Sequence, residues 1–581
     1  MRSRKKAIVL AFSAVLALTL FITGCQHSVD SAEVENLTKL CKVWGYVKYR
    51  HPAFLQGKKD WDEELLTLIP QVREAESGEA VNGLLHTWFV GLGEADYGMG
   101  TPPPAWTLAA EEDKVPIADT AWTADAAYLG EALAADLSLV SEPVHGAGPY
   151  APAVNLNPRS MDFFINEPEH EAAYNKAEFR LLGVFRLWNA MEYYFPYLDL
   201  LDESWESCLE TYIPRMLDGR DRTSYESTLA ALAYRLHDGH GYFTGARGLR
   251  DMLGTYYLPN VLDEAEGKLV VVDTVEGSAL EPGDVLMAVN GKDIEALMAE
   301  RMEYLSYPRE ENALGYLAYD ITSSKRERMQ ITVLRDEVEK TVTVKGNQWG
   351  KADALLPDPE SVPAYEILDG NIGLINPWVF VSSGTAQAMD ALRDTRALIV
   401  DLRQYPNFDE LGMSIMGLSH YLGVANKTFL VYGEPSVAVP GTYLKKTYSP
   451  NTFDLTGRTR ACASSQVYPY EHPVVVLMGS SGWETQSAGE MTLQMLLTAE
   501  NTVTMGENSA GVNGGIAYLP LPGGLTYEFS ARRVYTLDGE VTQRVGIAPD
   551  IPVEPTIQGI KEGRDEVLEA AVQYILDKGE K

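Results

Sequence analysis

The sequence predicts a multidomain α/β chain, and three observations carry that prediction. At 581 residues it is too long for one ordinary core, so several domains are expected. A pattern of aromatic and proline positions recurs at a single ungapped offset in the first half, which marks a duplicated helical module. From Asn371 onward, short apolar runs alternate with helical patterns, as in a sheet with helices on its faces.

Composition narrows the function. With 45% hydrophobic and 22% charged residues the chain is globular. A formal net charge of −34, with no basic cluster beyond Arg2–Lys6, excludes a nucleic-acid partner, because phosphate contacts need clustered Lys and Arg. Cys41, Cys208 and Cys462 are too scattered for a disulfide framework, and no Cys/His set has zinc spacing. No metal or other cofactor is called for.

Residues 1–25 are expected to be a processing segment: Arg2, Arg4, Lys5 and Lys6, then an uncharged run of 17 residues to Thr23, then Gly24-Cys25. Ile22-Thr23-Gly24-Cys25 resembles the bacterial lipobox, which implies lipidation of Cys25 and a lipid-anchored, extracytoplasmic protein. An uncleaved anchor or an ordinary secretory signal is the alternative.

The two helical copies span 26–98 and 176–250. Trp44 and Trp188, Tyr49 and Tyr193, Pro52 and Pro196, Trp61 and Trp205, and Pro70 and Pro214 all stand 144 apart. Apolar residues at helical spacing predict helices that proline closes. The copies diverge at their ends: the second reads Leu236-His237-Asp238-Gly239-His240, whereas the first has Asp96 where His240 would be. Residues 99–175 are expected to form a connector with one helix near Ala124–Ala135.

From 256 to 346 short strand patterns take over. Pro282-Gly283-Asp284 leads into a strand and Asn290-Gly291 turns out of it. This unit resembles a PDZ-like domain, whose family role is to hold a peptide C-terminus by strand addition. Residues 365–558 form the α/β region, with strands expected at Ile372–Ile375, Ala397–Asp401, Thr428–Tyr432, Val474–Met478 and Thr502–Met505. Helices are expected at Thr385–Arg393 and Gly412–Leu422, and 559–581 holds a closing helix.

The chemistry points to Glu484-Thr485-Gln486-Ser487-Ala488-Gly489-Glu490. It follows the apolar run Val474–Met478 and precedes a helical pattern. A strand, a tight turn and a helix can expose a serine hydroxyl beside helix N-terminal N–H groups, where an oxyanion is stabilised. The same serine could equally serve only as a helix N-cap.

Four motifs together resemble the tail-specific (C-terminal-processing) serine peptidase family, which includes the tricorn protease core. They are Leu236-His237-Asp238-Gly239-His240, Asp401-Leu402-Arg403, Ser487-x-x-Glu490 and Gly546-Ile547-x-Pro549-Asp550-Ile551. The resemblance runs from about Phe179 to Thr556. It implies a ClpP/crotonase-like α/β core with Ser487 as nucleophile. One branch of the family uses a Lys base, but Val512 stands at that position and no Lys lies between Lys446 and Lys561. The tricorn-like branch uses a His from the helical module, and His240 fits. A histidine of ordinary pKa suits proton abstraction at neutral pH.

Two departures shift the remaining roles. Gln404-Tyr405-Pro406-Asn407-Phe408 replaces the family's Gly-rich turn, and Pro406 has no N–H. The oxyanion donors then implied are Asn407 or Phe408, together with Ala488 or Ser487 itself. Gln543 stands where an acid would orient the histidine, and Glu484 is the substitute acid. The implied function is a serine peptidase acting on peptides or proteins, including their C-termini, outside the cytoplasm. The rivals are an inactive peptide-binding lipoprotein of the same fold and a metal hydrolase using His237 and His240.

Overall fold

The computed structural model describes residues 30–95, 104–144, 148–153, 164–348, 359–409, 412–453, 467–480 and 484–578. The expected signal segment with Cys25, and also Asp96, lie outside them.

Each of the two segments related by the offset of 144 holds three helices longer than ten residues: Ser31–Lys48, Trp61–Arg73 and Gly78–Gly91 in the first, and Ala177–Tyr194, Ser207–Asp218 and Arg222–Tyr234 in the second. Asp60, Ser77 and Asp221 cap three of them by accepting bonds from first-turn N–H groups. Pro70 and Pro214 do not close their segments as expected but sit inside the helices. Val72 and Met216, fully buried just beyond, hold the last turn helical despite the lost backbone bond.

The same indole bond recurs in both copies: Trp44 Nε1 donates to Trp61 O at 2.8 Å and Trp188 Nε1 to Trp205 O at 3.0 Å. The first helices of the two copies also meet at matching positions. Tyr49 and Tyr193 touch edge-on with centroids 5.6 Å apart. A Cβ on Gly45 would lie 1.7 Å from Asn189 Oδ1, so only glycine permits this crossing. Asn189 Nδ2 in turn donates to Cys41 O at 3.0 Å. The two copies share one apolar core, which continues into the strands Ile516–Leu521 and Leu525–Ser530.

Buried charges cross this core as a closed set. Lys48 pairs with Glu167 at 2.7 Å, Arg186 with Glu167 and with Asp62, and His170 reaches Asp62 at 2.8 Å. Burial drives the Lys48 ammonium pKa down, with Glu167 opposing.

The segment expected to be a one-helix connector is more structured. It carries helices Pro104–Leu108, Ala126–Leu129 and Glu131–Ser138 and a strand, Lys114–Pro116. Gly130, with φ +75°, splits the expected Ala124–Ala135 helix. Lys114–Pro116 pairs antiparallel with Thr442–Tyr448, which pairs with Leu430–Pro435 and so on to Arg533–Tyr535. The strand expected near Thr428–Tyr432 therefore belongs to this antiparallel sheet and not to the parallel core.

Strands Asn260–Ala265, Lys268–Thr274, Val285–Val289, Arg328–Arg335 and Val338–Lys345 form an antiparallel sheet around a separate apolar core. Asn290 and Gly291 both adopt positive φ at its tight hairpin, as an Asn-Gly turn does.

The central sheet runs in the order Tyr365–Leu368, Ile372–Ile375, Ala397–Asp401, Val474–Met478, Thr502–Gly506, Ile551–Pro552. All neighbours are parallel except the first pair. Val474, Val476 and Met478 face one core, and Val475 and Leu477 face another that the Glu566–Lys578 helix covers. Being buried on both faces explains the unbroken apolar run. The helix expected over Gly412–Leu422 is instead a short strand, Gly412–Met413, followed by the single turns Ser414–Gly417 and Leu418–Tyr421. No described helix is long and apolar enough to cross a membrane.

Candidate active site

Ser487 sits between the strand Val474–Met478 and the helix Ala488–Leu497. Its φ of 51° and ψ of −109° are strained for a residue with a side chain, as at a nucleophile elbow. Its side chain makes no capping bond, so it does not serve as an N-cap. Thr485 pins the turn: its Oγ1 donates to Leu402 O at 2.8 Å and accepts from Gly479 N at 3.1 Å. Ser487 N–H donates to Val512 O at 2.6 Å, which removes it as an oxyanion donor. Ala488 N–H, in the first turn, makes no hydrogen bond among the described residues.

His240 lies just before the strand Tyr242–Thr244. Its Nδ1 is 2.8 Å from Ser530 Oγ, and that hydroxyl donates to Asp238 Oδ1 at 2.7 Å. Asp238, fully buried, also accepts Ser530 N–H at 2.7 Å, His240 N–H at 3.2 Å and Gln543 Nε2 at 3.2 Å. A hydroxyl has one proton, and Ser530 gives it to the carboxylate. It can only accept from the ring, so Nδ1 carries the proton and Nε2 keeps a free lone pair. Burial lowers the His240 pKa, with Asp238 opposing, so the ring is neutral at pH 7.

Val512, at the position a Lys base would take, joins the two halves. Its carbonyl accepts the Ser487 N–H, and its side chain packs on Gly239, where a Cβ would come within 2.2 Å of it. Tyr316 bridges the same gap, donating to Gly239 O at 2.7 Å with its hydroxyl 3.2 Å from Gln486 Oε1. Ser487 and His240 are thus held in one locality, although no hydrogen bond directly joins them.

The loop before Val512 is organised by Glu490. Its Oε1 accepts from Ser509 Oγ at 2.7 Å and from Gly511 N at 2.8 Å. Burial pushes this carboxyl up to about 7 despite those bonds. Ser509 Oγ in turn accepts Ile547 N–H at 2.7 Å. The other motif acids are structural here: Asp550 accepts from Thr504 N and Oγ1, and Asp401 shares Arg403 with Asp565.

Several sequence-named residues are placed elsewhere. Gln543 does not touch His240; its Nε2 reaches Asp238 and its Oε1 accepts Asn513 N–H at 3.4 Å. Glu484 folds back over Gly479, whose added Cβ would meet its carboxylate, and its charge lies within electrostatic reach of Glu507. Burial first, then Glu484, raises Glu507 to about 8. Asn407 N–H is taken by Pro377 O at 2.8 Å, which removes it as a donor. Phe408 exposes its ring and stacks on Tyr405. His237 packs against Tyr234 and Tyr307, with Nε2 3.6 Å from Asp202. Among the described residues no group of three His, Cys, Asp or Glu has metal-binding geometry.

Asp238 is legible in the sequence, lying between His237 and His240 in Leu236-His237-Asp238-Gly239-His240. Ser530 gave no signal, since it is one serine at the end of a strand 290 residues from His240.

Among solved structures, the chain is similar to mature CPAF complexed with lactacystin, at 14% identity over 69% of this chain and 99% of that one, TM-score 0.48. It is similar to the photosystem II D1 C-terminal processing protease at 16% identity over 67% and 98%, TM-score 0.39. It is similar to the tricorn protease at 14% identity over 70% and 37%, TM-score 0.32. No curated protein matches in sequence. Over residues 431–553, which carry Ser487, Ser530 and Gln543, the chain matches the model of Peptidase family S41.

Proposed function

We propose that this chain is a serine peptidase in which Ser487 is the nucleophile and His240 its base. The observation that carries the reading is the hydrogen-bonded run Asp238–Ser530–His240, which leaves Nε2 unprotonated in the locality of a strained, uncapped serine. His240 Nε2 takes the Ser487 proton as Oγ attacks the scissile carbonyl. The imidazolium so formed is stabilised by Asp238 through the Ser530 hydroxyl. Ala488 N–H, with Phe408 as the remaining donor from the turn after Arg403, binds the oxyanion. The Nε2 proton then passes to the leaving amine, and water releases the acyl-enzyme by the reverse proton path.

The rest of the reading follows the same line. The helical copies are a duplicated module, their symmetric contact at Gly45 and Asn189 supporting common descent. Residues 256–346 act as a PDZ-like unit that presents a peptide, and 365–558 form the ClpP/crotonase-like core. Cys25 anchors the protein by lipid on the outer side of a membrane; Cys25→Ser should abolish lipid labelling, and unchanged membrane attachment would refute the anchor.

The absence of a direct Ser487–His240 bond favours one rival, an inactive peptide-binding protein. Fluorophosphonate labelling separates them. The peptidase reading expects wild-type protein to be labelled and Ser487→Ala not. No labelling of wild type, or equal labelling of both, overturns it.

A further inference from the structure

One side chain touches the residues beside both proposed reacting groups. Tyr316 ends the short helix Ala313–Tyr316, in the unit that lies between the helical copies and the parallel sheet in sequence. Its hydroxyl donates to Gly239 O at 2.7 Å and lies 3.2 Å from Gln486 Oε1. Gly239 immediately precedes His240, and Gln486 immediately precedes Ser487. A hydroxyl has one proton, so the shorter contact, to Gly239, is the one it serves. Burial, then the charges of Asp238 and Glu490, raises the pKa of this phenol, so the proton stays on it.

The bond acts on a whole peptide unit. Gly239 O and His240 N–H belong to one planar amide. Tyr316 holds the oxygen, and Asp238 Oδ1 accepts the N–H at 3.2 Å. With both polar ends tied, the plane cannot turn freely, and its orientation sets the direction in which the His240 side chain leaves the backbone. Ser530 then fixes the ring from the Nδ1 side.

The flanking glycines let the middle unit come this close. A Cβ on Gly239 would lie 2.9 Å from the Tyr316 hydroxyl and 3.3 Å from Pro308 Cδ. One on Gly241 would lie 2.6 Å from Ser306 Oγ. Both neighbours of His240 are therefore packed against the unit that carries Tyr316.

We propose that Tyr316 is a positioning residue: through Gly239 O its hydroxyl sets where His240 Nε2 stands relative to Ser487 Oγ. This rests on the peptidase reading. Tyr316→Phe keeps the ring and removes the donor. Per folded molecule, counted by near-UV circular dichroism, kcat on a peptide should fall about ten- to a hundredfold, with KM within about twofold of wild type. The acid limb of the pH profile should not move, because a neutral donor to a backbone carbonyl barely changes the charge around the imidazole. In a His240→Ala background the same change should alter the residual rate by no more than about twofold, since the base it places is gone. Para-aminophenylalanine at position 316 keeps a donor and should retain most of the wild-type kcat. An unchanged kcat in Tyr316→Phe, a loss confined to KM, a shifted acid limb, an equal loss in the His240→Ala background, or no rescue by the amino analogue overturns the placement. If wild type cleaves no peptide and takes no phosphonate label, the peptidase reading fails by itself. Histidine ring NMR then decides the placement: the His240 signal, identified by its loss in His240→Ala, should shift in Tyr316→Phe, and an unmoved signal overturns it.

Discussion

At the residue scale the His240 imidazole is held by Ser530, which is held in turn by the buried Asp238. In the proposed mechanism Asp238 acts through Ser530, which makes both positioning residues. Asp238→Asn should lower kcat/KM by a factor on the order of 10³. The pH profile separates this from a folding defect. Activity is lost as pH falls through the His240 pKa, which already lies below the ordinary value because the ring is buried. Asp238 raises that pKa, so removing its charge should move the acid limb to still lower pH. Ser530→Ala should behave similarly, and Ser530→Thr, which keeps the hydroxyl, should restore most of the rate. An unshifted acid limb in Asp238→Asn would break the relay.

At the element scale the helical copies depend on a close crossing. A methyl group on Gly45 would overlap Asn189, and close-packed interiors cannot absorb such an overlap cheaply. Gly45→Ala should cost about 1–3 kcal/mol in urea unfolding. Adding Asn189→Ala should give a double variant more stable than the two single losses predict, because the residues touch. Strict additivity would mean the helices separate instead of clashing. Removing one member of the buried charge set should cost more: Arg186→Met leaves Asp62 and Glu167 to share Lys48 and His170, with one buried negative charge uncompensated, a loss of about 3–5 kcal/mol.

At the scale of the whole molecule the site is a joint between three parts. His240 comes from the helical half, Ser487 from the parallel sheet, and Tyr316 from the unit between them in sequence. That unit touches both sides: Arg309 Nε donates to Ala510 O at 3.3 Å and Asn312 Nδ2 to Ser480 O at 2.8 Å, while Ser306 lies against Gly241. Peptide docking on this unit would then close Ser487 onto His240. Replacing 256–345 by a flexible bridge should slow acylation by peptides more than by a small phosphonate. Equal, wild-type rates for both would show that the site assembles without it.

The sequence by itself determined what is local. The run Val474–Met478 is apolar because both sheet faces are covered, and the serine turn follows it within a few residues. The offset of 144 was visible because matching packing, such as the Trp44 and Trp188 indole bonds, needs matching residues. Only the tertiary structure decided what closes over long separations. Nothing in composition marks Ser530 as the partner of a histidine 290 residues earlier, or Leu430–Pro435 as an antiparallel strand paired through Thr442–Tyr448 to Lys114–Pro116. Nor could spacing show that the Asn407 and Ser487 N–H groups are already bonded, because a donor's availability depends on which carbonyl the fold brings to it.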